Sequence, residues 1–172
     1  MEEWYASIKA ESPLEQGDLI PACPIIIPPD QGPFENWKDF EIKTYDVIIM
    51  TQSCDLHNRK IELVQVCPYF SLKEFCQDHD EYNHRKMKEN LRRGYSPSYH
   101  LLNKCNILND SDFLVVDYRS TFSISFKFLE EYRNSIGNRI RINSPYKEHL
   151  SQAYARFYMR VGLPTDIPSF RN

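Results

Sequence analysis

Asp46-Val47-Ile48-Ile49-Met50 is the stretch that decides the fold, because it is a continuous, largely β-branched and apolar run of strand length. Such a run is typical of a strand that is buried on both faces of a sheet. The polar cluster Thr51–Asn58 follows it, and a second, alternating run, Ile61–Val66, stops at Cys67-Pro68. We expect the two strands to pair antiparallel, with the connection between them as an exposed tip.

The segments before this pair are less regular. Residues 1–12 predict a polar lead-in with a short helix, and Gln16-Gly17-Asp18 predicts a turn. The apolar run Leu19–Ile27 contains Pro21 and Pro24. Because proline cannot donate a hydrogen bond to a neighbouring strand, this run is expected to form an edge strand or a broken strand.

The segments after the pair alternate between charged helix and short strands. Residues 71–93 are predicted to form a charged helical insertion that breaks near Asp78–Tyr82. We expect a further helix that Gly137 ends. The remaining predictions are strands at Tyr99–Leu102, Phe113–Tyr118, Phe122–Phe126 and Arg139–Ile142, and the further helix at Lys127–Ile136.

The C-terminal helix is predicted over residues 144–162. Ser144 is a suitable N-cap with Pro145 at the first helical position, and Gly162 and Pro164 are suited to end the helix. An apolar stripe along it is expected to face the core. Beside that stripe runs a second one, polar and basic, made of His149, Gln152, Arg156 and Arg160.

These patterns predict one α+β domain over residues 1–172. We expect a small bent antiparallel sheet or an SH3-like partial barrel, with residues 14–68 supplying barrel strands and the C-terminal helix packed on it. Apolar residues make up 41% of the chain and aromatic residues 13%, which excludes a disordered protein. The net charge of -3 excludes a global attraction to nucleic acid or anionic lipid, so any such contact must be local.

The cysteines bear on compartment and cofactors. The five are odd in number, irregularly spaced and without a CxxC pair, which favours free thiols. With no signal peptide or membrane-spanning run, we expect a cytoplasmic protein that needs no membrane and no cofactor. A zinc site would collect Cys23, Cys54 and Cys67 with His57 or His100, but no pair has ligand spacing, so no metal is expected.

A first candidate site follows the decisive strand. Cys54 lies in the loop at its end, close to Thr51, Asp55 and His57. A cysteine nucleophile needs a neighbouring histidine or positive charge to lower its pKa, and His57 or a more distant histidine would supply it. The alternative is structural: Cys54 acts as a small hydrophobe, and Asp55 caps a turn.

A second candidate site is basic. Arginine offers a planar fork of donors that grips phosphate, and neighbouring histidine and glutamine side chains add hydrogen bonds. The alternative is that these arginines pack their stems on the fold and pair with surface acids. The candidate residues for binding nucleic acid or phosphate are Arg139, Arg141, His149, Gln152, Arg156 and Arg160.

A third cluster combines basic and aromatic residues. His84–Lys88 and Arg92-Arg93 lie near Tyr82, Tyr95 and Tyr99 in the sequence. Proteins bind single-stranded nucleic acid with this combination, because aromatic rings stack on the bases and basic side chains neutralise the phosphates. A solvated helix is the equally simple alternative.

Three blocks of the chain resemble an uncharacterised bacterial protein family, which implies no mechanism. They are Gln16–Ile20, Thr51–Leu56 with its TQSCDL sequence, and the PYKEHLSQ block that continues to RVGLP, residues 144–164.

Residues 14–68 also resemble the SH3-like barrel of the PemK/MazF toxin endoribonucleases. Gly17 and Asp18 match the opening of that barrel, and the family's catalytic Ser or Thr falls on Thr51. The catalytic Arg of that family is not matched, since Tyr45 and Asp46 stand in its place. The resemblance implies a barrel-like fold and a role in a bacterial defence or toxin-related system, whereas the missing Arg speaks against that ribonuclease activity.

The function that these patterns favour is a non-catalytic binding module for RNA, DNA or another phosphate-bearing partner. One alternative is a hydrolase or nuclease that uses Cys54, Asp55 and His57 or Thr51. Another is a protein-interaction subunit of a larger complex, which would present an exposed apolar patch.

Overall fold

The computed structural model describes residues 3–32, 36–107 and 112–159, apart from the side chain of Trp37. Eight strands form an open antiparallel sheet in the order β1-β8-β2-β3-β4-β6-β5, and β7 pairs with β4. The strands are β1 (Tyr5–Ile8), β2 (Asp18–Ile27), β3 (Glu41–Ile49), β4 (Leu63–Ser71), β5 (Tyr99–Leu102), β6 (Leu114–Asp117), β7 (Phe122–Ser125) and β8 (Arg139–Ile142).

Helices lie on both faces of this sheet. The expected α+β class, with an antiparallel sheet and a C-terminal helix packed on it, is confirmed, and the sheet does not close into a barrel. Among the described residues, no helix combines the length and apolarity needed to cross a bilayer. The helices are α1 (Ser53–His57), α2 (Leu72–Asp78), α3 (Arg85–Arg92), α4 (Phe126–Ile136) and α5 (Tyr146–Tyr158).

The predicted antiparallel pair is confirmed as β3 and β4, with Ile49 opposite Val66 and Val47 opposite Pro68. The prediction that the second strand stops at Cys67-Pro68 is wrong, because β4 continues through this dipeptide to Ser71. The outer edge of β4 pairs with β7 up to Val66 and with β6 from Tyr69. Cys67 and Pro68 thus lie opposite the break between β6 and β7, which is a position that tolerates proline.

The proline-containing run forms β2, which pairs with β3 along its length but is broken by a bulge between Ile20 and Cys23. Ala22 has φ +48 there, and its N–H donates to Asp46 Oδ1 at 2.8 Å. Beyond the bulge β2 no longer pairs with β8, so its second half is an edge. The expectation of a broken edge strand is confirmed, and Asp46 has a structural role.

The alternation of side chains along β3 separates two cores. Ile48 belongs to the cluster that contains Leu150 of α5, whereas Val47 and Ile49 belong to the cluster that contains Leu129 of α4. Successive residues of a strand point to opposite faces, so α5 and α4 cover opposite faces of the sheet. A third, smaller cluster lies beneath α2 and α3.

Two stretches near the sheet contain elements that the sequence did not predict. Residues 5–8 form β1 rather than a helix, because they pair with β8 and because Trp4 stacks on Tyr146 at 3.6 Å between ring centroids. The connection after β3 is largely exposed, as expected, but it also contains α1, which buries Leu56 against the α4 side of the sheet. Both outcomes depend on partners that are distant in sequence.

The charged insertion is confirmed as α2, a 3-10 helix at Asp80–Asn83 and α3. Its predicted break lies where the 3-10 helix replaces the α-helix. The predicted N-cap of the C-terminal helix is wrong: Pro145 takes the cap position, and the Ser144 hydroxyl donates to Glu148 at 2.7 Å. Helix α5 ends at Tyr158, and the predicted end signals Gly162 and Pro164 lie outside the described residues.

Candidate functional site

The two arginines of β8 lie inside the fold. The side chains of Arg139 and Asp18 are both 0% exposed, and Arg139 Nε donates to Asp18 Oδ2 at 2.7 Å. The other guanidinium nitrogens donate to backbone carbonyls of Ser12 at 2.8 Å and of Lys9 at 3.2 Å. With its donors already engaged, Arg139 has no free fork to offer to a phosphate.

Arg141 extends the same network toward the surface. It donates to Asp18 Oδ1 at 2.5 Å and pairs with Glu15 at 2.6 Å, while Lys147 approaches Glu15 at 3.9 Å. Gly17 closes the network with φ +84, and a Cβ there would lie 3.3 Å from the Cβ of Ile142. The Gln-Gly-Asp turn and the start of α5 therefore form a structural junction.

Thr51 and its neighbours also make hydrogen bonds that connect separate segments of the backbone. Thr51 Oγ1 accepts the N–H of Gln65 at 2.8 Å, and Ser53 Oγ accepts the N–H of Gln16 at 3.2 Å. The buried Gln16 side chain in turn donates to the carbonyl of Met50 at 2.8 Å. These hydrogen bonds tie the end of β3 to the start of β2 and to β4.

Cys54 is exposed on α1, and its sulfur lies 3.9 Å from Asp55 Oδ1. Among the described residues, no imidazole makes a hydrogen bond with it, and His57 makes no side-chain hydrogen bond. Because Leu56 anchors α1 on the α4 face, α1 and α5 lie on opposite faces of the sheet. The structure therefore does not join Cys54 to the basic stripe.

The other four cysteines are buried. Burial raises the pKa of Cys23 to about 11 and the pKa of Cys67 to about 11, which keeps both thiols protonated and weakly nucleophilic. Within residues 3–32, 36–107 and 112–159, no group of three His, Cys, Asp or Glu side chains is placed to hold a metal ion.

A cleft of about 280 Å³ does bring candidate residues together. It lies at the outer edge of β5, the last strand of the sheet, between α3 and α5. Tyr99 and Leu91 belong to the cluster beneath α3, and Leu150 anchors α5 on the other face. The polar side chains that line the cleft are Arg92, Arg93, His100, His149, Gln152 and Arg156.

The arginines give one side of this cleft a positive charge. Arg92 and Arg93 both bind Glu89 at 2.7 Å, yet their side chains stay 63% and 55% exposed. The pKa of Glu89 falls to about 2 through these bonds, first to Arg92 and then to Arg93, so the carboxylate stays ionised and cancels one of the two charges. Arg156 is exposed and makes no ion pair with any described residue.

His100 lies deeper in the cleft. Its pKa falls to about 4, because burial disfavours the charged imidazolium and because His149 is close by. One side of the ring packs near-parallel to the buried Tyr118, with 6.2 Å between ring centroids. His100 is therefore a neutral imidazole at pH 7, with no hydrogen-bond partner among the described residues.

Only part of the basic and aromatic cluster near α3 is exposed to solvent. Tyr82 and Tyr99 pack edge-on with Phe75 in the buried cluster, and Arg119 lies 4.7 Å over the Tyr99 ring. They are therefore core residues and are not available for stacking on a base. Tyr95, which directly follows the arginine pair and Gly94, is 71% exposed.

The sequence candidates thus divide in two. His149, Gln152 and Arg156 meet in one cleft, whereas Arg139 and Arg141 lie in the core network, and Arg160 lies outside the described residues. Sequence reasoning did not connect the basic helix end with α5 or assign His100 to this site. A single histidine in the otherwise apolar strand Tyr99–Leu102 was the available signal.

Neither the models of known protein families nor the curated proteins match this chain.

Proposed function

We propose that the protein is a non-catalytic binding module that holds a phosphate-bearing partner, foremost single-stranded nucleic acid, in the cleft between α3, β5 and α5. The observation that carries the proposal is the convergence of Arg92, Arg93 and Arg156 on one cleft from two separate helices. Glu89 neutralises one of these three positive charges, so the cleft keeps a net positive charge that attracts an anion.

The chemistry of these residues suits a phosphodiester. Each guanidinium presents a planar fork of donors that matches phosphate oxygens, and it is more weakly hydrated than an ammonium group, so it gives up less hydration when it binds. The exposed Tyr95 beside the arginine pair offers a ring face for an unpaired base. A duplex hides its base faces, so this combination favours a single strand.

The catalytic alternative has less support. A cysteine nucleophile requires a base within hydrogen-bond reach, and the described structure brings no imidazole to Cys54. Thr51 is occupied as an acceptor for the Gln65 N–H. A place in a bacterial defence or toxin-related system remains a separate proposal that rests on sequence resemblance.

The test is a titration of the protein with fluorescently labelled single-stranded RNA and DNA over a range of salt concentrations. We expect the double variant Arg92→Ala/Arg156→Ala to bind at least tenfold more weakly at low salt. The slope of log K against log salt should also fall by roughly 0.7 for each phosphate contact removed. Circular dichroism should show an unchanged fold.

Arg59→Ala is the matched control. Arg59 is also an exposed arginine with an acidic partner, Glu130, but it follows α1 and does not line the cleft. We expect it to bind nucleic acid like the unaltered protein. Absent binding, or binding that does not respond to salt, overturns the proposed function.

A further inference from the structure

We propose that the cleft recognises one nucleotide, with the base held against the half-buried His100 and the more exposed Gln152, and the phosphate held at the mouth by Arg156 and the arginine pair of α3. This inference rests on the proposed function and narrows its ligand from any phosphate-bearing partner to a base-bearing one. It follows from the way polar, apolar and charged groups are distributed over the lining.

The cleft is not built as a plain anion site. Its walls include the apolar side chains of Leu91, Pro97, Leu101 and Ala153, which come from α3, the following loop, β5 and α5. A phosphate gains nothing from apolar walls, since it stays strongly hydrated. A flat base, in contrast, buries its faces against such walls and needs polar partners only at its edge.

His100 supplies one polar partner. A neutral imidazole has one N–H donor and one acceptor nitrogen, and neither is used within the described residues. The low pKa of about 4 keeps the ring uncharged at pH 7, so it adds no charge attraction for phosphate. An unused donor and acceptor on a half-buried ring are suited to a neutral ligand edge that presents both kinds of group.

Gln152 supplies the second partner from α5. Its amide has two N–H donors and one acceptor oxygen, and it too makes no side-chain hydrogen bond with the described residues. Protein sites read unpaired bases through hydrogen bonds to the Watson–Crick and Hoogsteen edges. His100 and Gln152 face the same cleft from a strand and a helix, as a reader of such an edge requires.

The size of the cleft limits the occupant to a single unit. Pockets that enclose a whole small molecule have volumes of roughly 300–1,000 Å³. At about 280 Å³ the cleft lies just below that range. One base with its sugar and phosphate suits this space, and the neighbouring nucleotides would run outward past Arg156 and Tyr95.

The deciding experiment compares two oligonucleotides of equal length and charge, one with bases and one abasic throughout, in fluorescence competition assays. We expect the base-bearing strand to bind at least tenfold more tightly. Gln152→Ala should reduce this difference several-fold, because it removes an edge contact and leaves the arginines in place. Arg156→Ala should weaken both strands to a similar extent.

Gln77→Ala is the control, since Gln77 is an exposed helical glutamine on α2 and lines a different depression. If both strands bind equally, the nucleotide assignment is overturned while the proposed function stands. If neither strand binds, both fall. A difference that survives Gln152→Ala unchanged places the base elsewhere and also overturns the assignment.

Discussion

Two groups of arginines in this molecule carry the same side chain and have opposite roles. Arg139 and Arg141 of β8 meet the buried carboxylate of Asp18 in the interior of the sheet. Arg92 and Arg156 line an open cleft at the sheet edge, and Arg156 lacks an acidic partner among the described residues. The first group is expected to affect folding, and the second to affect binding.

The two groups of arginines differ in whether their carboxylate partner is buried or exposed to solvent. A buried guanidinium must find an acid and further acceptors, since an unpaired charge in the interior is very costly. Asp18 and the carbonyls of residues 9–13 meet that need for Arg139. At the edge, water solvates the guanidinium, so Glu89 is shared between two arginines and Arg156 remains available to a ligand.

The largest effect is expected for Asp18→Asn. Removing one partner of a buried ion pair leaves an uncompensated charge, and such changes cost about 3–5 kcal/mol of the free energy of unfolding. Urea denaturation followed by circular dichroism measures it. Asp30→Asn, at an exposed position, is the control and should shift stability by less than about 0.5 kcal/mol.

An Asp18→Asn protein as stable as the unaltered one would contradict the structural role of the β8 arginines. If the variant, while still folded, binds nucleic acid with unchanged affinity, the Asp18 network contributes to folding and not to binding in the cleft.

The second effect concerns acid stability. The folded-state pKa of His100 is lowered to about 4 by burial and by His149, against about 6.5 in the unfolded chain. Between these values the unfolded chain binds a proton that the folded protein does not. Stability present above pH 6.5 is therefore lost as the pH falls toward 4, by about 3 kcal/mol.

His100→Gln should flatten this part of the pH profile, which urea denaturation at a series of pH values will show. His57→Gln, on the exposed helix α1, is the control for the loss of a surface histidine. A profile that is as steep in His100→Gln as in the unaltered protein would show that His100 is not held neutral in the cleft.

The smallest effect is expected for Glu89→Gln. This change removes the acid that partly neutralises Arg92 and Arg93, so labelled single strands should bind a few-fold more tightly at low salt, with the gain shrinking as salt rises. Glu130→Gln removes the partner of Arg59 and is the matched control. Weaker or unchanged binding in Glu89→Gln would argue that the α3 arginines do not face the ligand.

Local patterns were sufficient for several elements. The apolar run at residues 46–50 lies almost wholly within β3, the helix after Ser125 ends before Gly137, and the charged insertion breaks where expected. Each of these elements is specified by residues close to it in the sequence, through hydrophobic periodicity, a helix cap or a helix-breaking residue. The passage of β4 through Pro68 was not predictable, because it depends on the gap that β6 and β7 leave opposite it.

For the candidate site, the sequence by itself determined the inventory: an exposed cysteine near a strand end, a basic stripe on the last helix and a basic pair at the end of α3. Tertiary structure alone decided which of these charges stay available. Arg141 meets Asp18 across 123 residues of sequence, whereas Arg156 meets no acid in the described part of the chain. The physical reason is that pairing between distant strands sets burial, and burial decides whether a guanidinium stabilises the fold or remains in water to bind an anion.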